Sequence, residues 1–401
     1  LKGEEPMQVA IIADKYKKQQ GYKAAVVELP AGRTSIADAF QRARISETDH
    51  YKLCDFYGWS GFLSRHLILS GHKTVDEVNL LAYKINQMDR MQIETYEGAL
   101  QLRENADIDT PISTRELINI LYNLEQYSYM PGILNDQMLG EMCLMGELVS
   151  EVKGVSDEVF EMLSEEKVGQ YLRRCDQGEF TRTGYVLCDS KEWQEVYDGR
   201  KLPEQPDVHN GMLSLQLEAI GNHSSVSKHT WLELPADDKA MQSALTALGV
   251  TSFADCVITE SISAIPGIEN QLGRDEDIDK LNILASKVEA FADGRTLAKY
   301  KAVLEVEQCN DIDMQLDIAD NLACYDFDDY YRSPADYAKQ LFGDTGVDVS
   351  DPAFDVFDFY GYGSRQLELS GLHTTSYGDI RRNEIPFVPE YTKPQMGMTM
   401  Q

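Results

Sequence analysis

Basic residues are scarce: 37 Lys and Arg stand against 67 Asp and Glu, a formal net charge of −30. A chain of that sign repels nucleic acid and attracts basic surfaces, including those of proteins built to hold DNA. Long apolar runs are also missing. No stretch reaches the roughly 18 residues of a bilayer-spanning helix, so no membrane span is expected. The opening LKGEEPMQV has no charged-then-apolar leader pattern, and the expected location is cytoplasmic. Seven cysteines (Cys54, Cys143, Cys175, Cys188, Cys256, Cys309, Cys324) are odd in number and form no CxxC pair. They read as reduced thiols rather than a disulfide framework or a zinc site.

Catalytic signatures are absent as well. There is no HExxH or HxxxH pair, no GxSxG and no Walker A loop. His66 and His72 are too poorly spaced on a helix to hold one metal ion. GYGS at Gly361–Ser364 lacks the phosphate-loop lysine and reads as a turn. The expectation is a protein without enzymatic activity, cofactor or metal.

What the chain does have is a repeat. VDEVNLLAYKI (Val75–Ile85) returns half a chain later as IDKLNILASKV (Ile278–Val288), with Asp, Asn, Leu, Ala and Lys in register. In both copies apolar residues fall at i, i+3, i+4 and i+7, the stripe of an amphipathic helix. MQVAIIADKYKKQQGYKAAVVELPA (Met7–Ala31) aligns without a gap on MLSLQLEAIGNHSSVSKHTWLELPA (Met212–Ala236). Asp107-Ile108-Asp109 recurs as Asp311-Ile312-Asp313, and GEFTRTGYV (from Gly178) parallels GLHTTSYGDI (from Gly371). A period this long means two domain-sized units rather than a solenoid.

The fold expected is α+β, an elongated tandem duplication. Each unit comprises a small α/β subdomain, a helical middle and a second α/β subdomain: 1–73, 74–104 and 105–203, then 204–274, 275–308 and 309–390, with a tail at 391–401. Strands are expected at Gln8–Ala13, Ala24–Leu29, Tyr51–Phe56, Leu213–Glu218, Thr230–Leu234 and Asp255–Glu260. Helices are expected at Ser35–Ala43, Thr74–Met88, Gln92–Leu102, Thr114–Leu124, Asp136–Leu148, Lys239–Leu248, Asp277–Phe291, Arg295–Val306 and Pro334–Phe342, with Thr74 and Asp275 as N-caps. Residues 200–211 read as the linker. Asn79 and Asn282 lie beside their apolar stripes and are expected to be structural, with at least one buried and bonded to backbone.

The densest charge lies between Glu307 and Asp358, with 14 acids against Arg332 and Lys339. Thirteen are aspartates: Asp311, Asp313, Asp317, Asp320, Asp326, Asp328, Asp329, Asp336, Asp344, Asp348, Asp351, Asp355 and Asp358. Their short side chains hold charge close to the backbone. Asp311, Asp313 and Asp317 lack the Gly and Glu of an EF-hand, leaving a solvated acidic face or a charge mimic as the two readings. Residues 1–205 are less acidic, with 34 acids and 23 bases, and have basic islands at Lys15-Tyr16-Lys17-Lys18 and Arg173-Arg174.

The ordered set of motifs resembles the ArdA antirestriction family. The opening strand, Lys-Tyr turn and strand ending in Leu-Pro are similar to that family's start, and the two Asn-Leu helices to its helix after an acidic loop. DFYGYGSRQLELSGLHTTSYGDI resembles its ending, with KVGQYLRRCDQGEFTRTGYV as a weaker first copy. The resemblance implies an elongated acidic protein that imitates duplex DNA and occupies the DNA groove of a type I restriction–modification enzyme or a similar DNA-binding protein. It also implies carriage on a mobile element. Family members are usually single units that dimerise, so a homodimer is one arrangement it allows, whereas here two units share a chain. The competing reading is an acidic structural or regulatory adaptor that keeps the scaffold without inhibitory activity.

Overall fold

The computed structural model describes residues 6–16, 24–46, 48–146, 163–189, 192–220, 228–268, 272–273, 276–291, 293–309, 311–329 and 333–392. Among them the fold is mixed α+β, and each sheet has three strands. The chain forms two compact units. One comprises Leu1–Val9, Glu28–Pro30 and Leu53–Asp207, the other Ala10–Val27, Ala31–Lys52 and Val208–Gln401. These do not coincide with the sequence repeats, because Ala31–Lys52 of the first repeat belongs to the second unit.

The first repeat runs β1 (Gln8–Ala13), β2 (Ala25–Glu28), α1 (Arg33–Arg42), β3 (Tyr51–Tyr57), α2 (Gly61–Leu69), α3 (Val75–Gln87), α4 (Arg90–Ala106) and α5 (Thr114–Tyr122). It continues with β4 (Tyr127–Pro131), α6 (Asp136–Met145), α7 (Glu165–Asp176), β5 (Glu179–Phe180) and β6 (Gly184–Cys188). The second follows the same order, without a counterpart of α2 among the described residues: β7 (Leu213–Ala219), β8 (His229–Leu234), α8 (Asp238–Leu248), β9 (Cys256–Ser263), α9 (Ile278–Glu289), α10 (Gly294–Glu307) and α11 (Ile312–Asp320). It ends with β10 (Tyr325–Asp328), α12 (Pro334–Asp344), α13 (Phe359–Ser370), β11 (His373–Thr374) and β12 (Asp379–Arg382). Strand orders match between repeats: β2-β1-β3 and β8-β7-β9, then β4-β6-β5 and β10-β12-β11. The pairings of β7 with β8 and β9, β6 with β4 and β5, and β12 with β10 and β11 are antiparallel.

The Asn-Leu helices form because their stripes bury. Val75, Val78, Leu81 and Ala82 are inside on α3, and Ile278, Leu281, Leu284, Ala285 and Val288 on α9. Each Val, Leu or Ile among them contributes about 1.5–3 kcal/mol on burial. Thr74 and Glu77 close a capping box at the start of α3. The start of α9 differs from expectation: Asp277 accepts from the N–H groups of Asp279 and Lys280, and Asp275 lies outside the described residues. Asn282 accepts from Ala236 N at 2.7 Å and donates to Ala236 O at 3.0 Å, tying α9 to the end of β8. Asn79 is buried at the same place on α3.

Below these helices both repeats use one device. Tyr96 and Tyr300, fully buried, donate their hydroxyls to the carbonyls of Leu117 and Gln315 across α4–α5 and α10–α11. The α5 end holds residues 194–197 through Asn119 and Asn123; the α11 end holds residues 388–392 through Asp317 and Asn321.

The periodicity misses four helices, α2, α7, α11 and α13. The last corrects the reading of GYGS as a turn, since Gly361–Ser364 lies inside α13. Glycine is a poor helix former, by about 1 kcal/mol against alanine. Packing reverses that preference, because a Cβ at Gly363 would sit 1.7 Å from the Pro334 carbonyl oxygen of α12. Gly169 of α7 meets Asp136 O of α6 in the same way, at 1.8 Å. The end of the expected linker is pinned, with Asn210 Oδ1 accepting from Arg33 N and Gly211 O accepting from Thr34.

Candidate partner-binding surface

The α12–α13 hairpin begins with Ser333, which caps α12 ahead of Pro334, and Asp358 caps α13 by accepting from Gly361 N. Between the helices lies 345–358, a connection with little regular structure. An aromatic cluster holds it: Phe342 contacts Phe354, Phe357, Phe359 and Tyr362 with centroids 5.3–6.0 Å apart. Such ring pairs each add about 0.5–1.5 kcal/mol beyond burial. Gly346 turns the chain at φ 78°.

Asp344 at the end of α12 and Asp348, Asp351, Asp355 and Asp358 on the connection stand exposed, and no Lys or Arg occurs from 340 to 364. Asp348 is held below the usual carboxylate range by the Ser350 hydroxyl and N–H, and Asp351 accepts from Ala353 N. Asp344 accepts from Gln340 at 2.7 Å. None of the five forms an ion pair among the described residues. Val356 beside them is 93% exposed.

The other eight aspartates are placed differently. Asp313, Asp320, Asp326 and Asp329 pair with Lys280, Lys287, Arg381 and Arg295, which cancels much of their charge locally. Asp311 is exposed and caps α11. Asp328 lies half-buried on β10 and Asp336 half-buried in the first turn of α12. Asp317 is not a surface charge. It is fully buried and accepts from Glu390 N, Tyr391 N, Thr392 N and Thr392 Oγ1 at 2.6–2.9 Å. Burial opposes its ionisation, but the bonds from Thr392, Tyr391 and Glu390 outweigh it and keep the carboxyl below 3.8. The α11 stripe of Ile312, Leu316 and Ile318 does not reveal this, since the binding partners come from the far end of the repeat.

A second cluster in this unit escaped the sequence reading. Lys301 is 2% exposed, and its ammonium donates to Asp38 at 2.7 Å and to Gln41 Oε1 at 3.0 Å. Asp38 also accepts from Arg42 and from the Tyr377 hydroxyl. Burial pulls Lys301 down from its ordinary pKa, while Asp38 works against it. The one signal was a lysine on the apolar stripe Leu297, Lys301, Leu304. Asp379, buried on β12, is likewise pushed up by desolvation.

The equivalent hairpin of the first repeat, α6–α7, has a different charge. Arg173 makes a bidentate pair with Asp136 and lies over Phe180; Arg174 is exposed, its Nε donating to Gln170 O. Of the basic island at the N-terminus, Lys15 pairs with Asp49, and Lys17 and Lys18 lie outside the described residues.

Among the described residues no helix is long and apolar enough to cross a membrane, and no group of three or more His, Cys, Asp or Glu could hold a metal ion. No curated protein matches the chain. The family model of antirestriction protein (ArdA) does match, over residues 226–380, a span that contains all thirteen aspartates and both helices of the acidic hairpin. The likeness to that family therefore lies in the second repeat, over residues 226–380.

Proposed function

We propose that this protein is a non-enzymatic antirestriction protein that blocks a type I restriction–modification complex, or a similar DNA-binding protein, by presenting carboxylates in place of DNA phosphates. The observation that carries the reading is a coincidence of position. The ArdA family match covers the base-free stretch in which Asp344, Asp348, Asp351, Asp355 and Asp358 are exposed and without cation partners among the described residues. Duplex DNA presents roughly one charge per 1.7 Å of axis, so a mimic needs carboxylates that are both dense and uncompensated. Rigid support helps, and the Phe342 cluster with the Asp351 and Asp358 caps supplies it. Asp311 and the half-buried Asp328 and Asp336 extend the proposed surface, whereas the four paired aspartates contribute little and Asp317 nothing. That same pairing favours the adaptor as the second reading.

A titration of purified type I methyltransferase against duplex DNA, at low and high salt, tests the proposal. The mimic should displace DNA at low salt and lose affinity steeply as salt rises. Replacing Asp344, Asp348, Asp351, Asp355 and Asp358 together by Asn should remove most of the competition. Absence of competition at low salt would reject mimicry of this target and favour the adaptor.

A further inference from the structure

The first unit contains a cleft of about 1190 Å³ lined by, among others, Arg103, Glu116, Tyr127, Arg173, Arg174 and Trp193. In the second repeat the positions of Arg103 and Tyr127 are held by Glu307 and Tyr325, since α4 aligns with α10 and β4 with β10. There the Tyr325 hydroxyl donates to Glu307 at 2.7 Å, a donor meeting a carboxylate. In the first repeat a guanidinium takes the position of that carboxylate, so both residues at these positions are donors lining the cleft. Arg103 forms an ion pair with Glu116, its Nε and Nη2 both 2.9 Å from Oε1, which leaves Nη1 buried with no hydrogen-bond partner. The Tyr127 hydroxyl makes no hydrogen bond among the described residues, and burial pushes its pKa up to about 12, so it remains a donor at neutral pH. A buried donor without an acceptor costs about 1–3 kcal/mol, which an incoming acceptor would recover.

Three acids also line the cleft, and two are already engaged. Glu116 accepts from Ser113 and Arg103, and Asp176 from Gly178 N and the Tyr185 hydroxyl. Glu179 is the third. Against it stands Arg174, which forms no ion pair among the described residues, and the indole of Trp193, 48% exposed, offers an apolar wall. We propose that this cleft binds a small ligand through an oxyanion, a phosphate or carboxylate group, seated by Arg103 and Tyr127 where the second repeat places Glu307. The binding is independent of the acidic hairpin.

Isothermal titration of the full-length protein with inorganic phosphate and, separately, with succinate tests this, with chloride adjusted to hold ionic strength constant. At least one probe should bind, and which one binds separates a phosphate from a carboxylate ligand. Arg103→Glu supplies the missing carboxylate from within and should reduce binding at least tenfold. Tyr127→Phe should weaken it severalfold, and serves if the first variant does not fold. Arg65→Glu, outside the cleft, should bind as the wild type does. Failure of both probes to bind in the millimolar range would overturn the proposal, as would binding left unchanged by both cleft variants.

Discussion

The two repeats share a frame and differ in what they place on it. Tyr96 and Tyr300 make the same buried hydroxyl-to-carbonyl bond, and Asn123 and Asn321 both clasp a returning strap. Around that frame the side chains change sign. Arg103 stands where the second repeat has Glu307, Arg174 where it has Glu368, and Glu97 where it has the buried Lys301. Bonds that satisfy buried backbone groups are kept in both copies, because losing one leaves a group that nothing else can satisfy. Arg174 and Glu368 are exposed, and charges at the surface interact with solvent and are cheap to exchange. The frame is common to both copies, and the exchanged side chains are where they differ in charge.

The largest expected break comes at Lys301. Removing its partner with Asp38→Ala leaves a buried ammonium, and stability should fall by about 3–5 kcal/mol in urea denaturation. Glu97→Ala, at the equivalent place in the first repeat, should cost less than about 1 kcal/mol. Equal losses would mean that the buried pair does not distinguish the copies.

Smaller effects are expected within the hairpins and straps. Gly363→Ala pushes a Cβ into the Pro334 carbonyl and should cost about 1–3 kcal/mol by thermal denaturation. It should also expose the 345–358 connection to protease, and Gly169→Ala should loosen the α6–α7 hairpin in parallel. Asp317→Asn gives the second repeat the amide that the first has at Asn119. It faces the amide towards the Thr392 N–H and should cost about 1–3 kcal/mol at pH 7. The Asp317 carboxyl lies below 3.8 in the folded chain, so its contribution is fully present above that value and is lost as pH falls through the folded pKa. The deficit of the variant should therefore shrink when melting is repeated in strong acid. A deficit that does not change with pH would assign the loss to packing.

The smallest effect belongs to the acidic connection. Asp355→Asn alone should leave stability within about 0.5 kcal/mol and weaken competition with DNA by less than about 1 kcal/mol. Arg174→Glu, importing a charge of the second repeat, should leave that competition unchanged. A large effect of Asp355 alone would replace a distributed charge surface by a single anchor point.

By itself the sequence determined the repeat, the α+β class, most helices and the strands of the opening sheet in each repeat. Amphipathic period, caps and Leu-Pro stops act over a few residues, so Thr74 with Glu77 and the stripes of Val75–Gln87 and Ile278–Glu289 were legible. It also fixed the excess of acid and where that acid concentrates. Only the tertiary structure decided which carboxylates remain available. Asp313 and Asp329 look alike in sequence to Asp348 and Asp355, yet the first two meet cations and the last two do not among the described residues. Lys301 finds Asp38 across 263 residues, and Asp317 finds its donors 73 to 75 residues away. Gly363 stays helical because a neighbouring carbonyl occupies the space of its missing side chain. Pairings of that kind depend on which elements the fold brings together, and no local pattern of residue types encodes them.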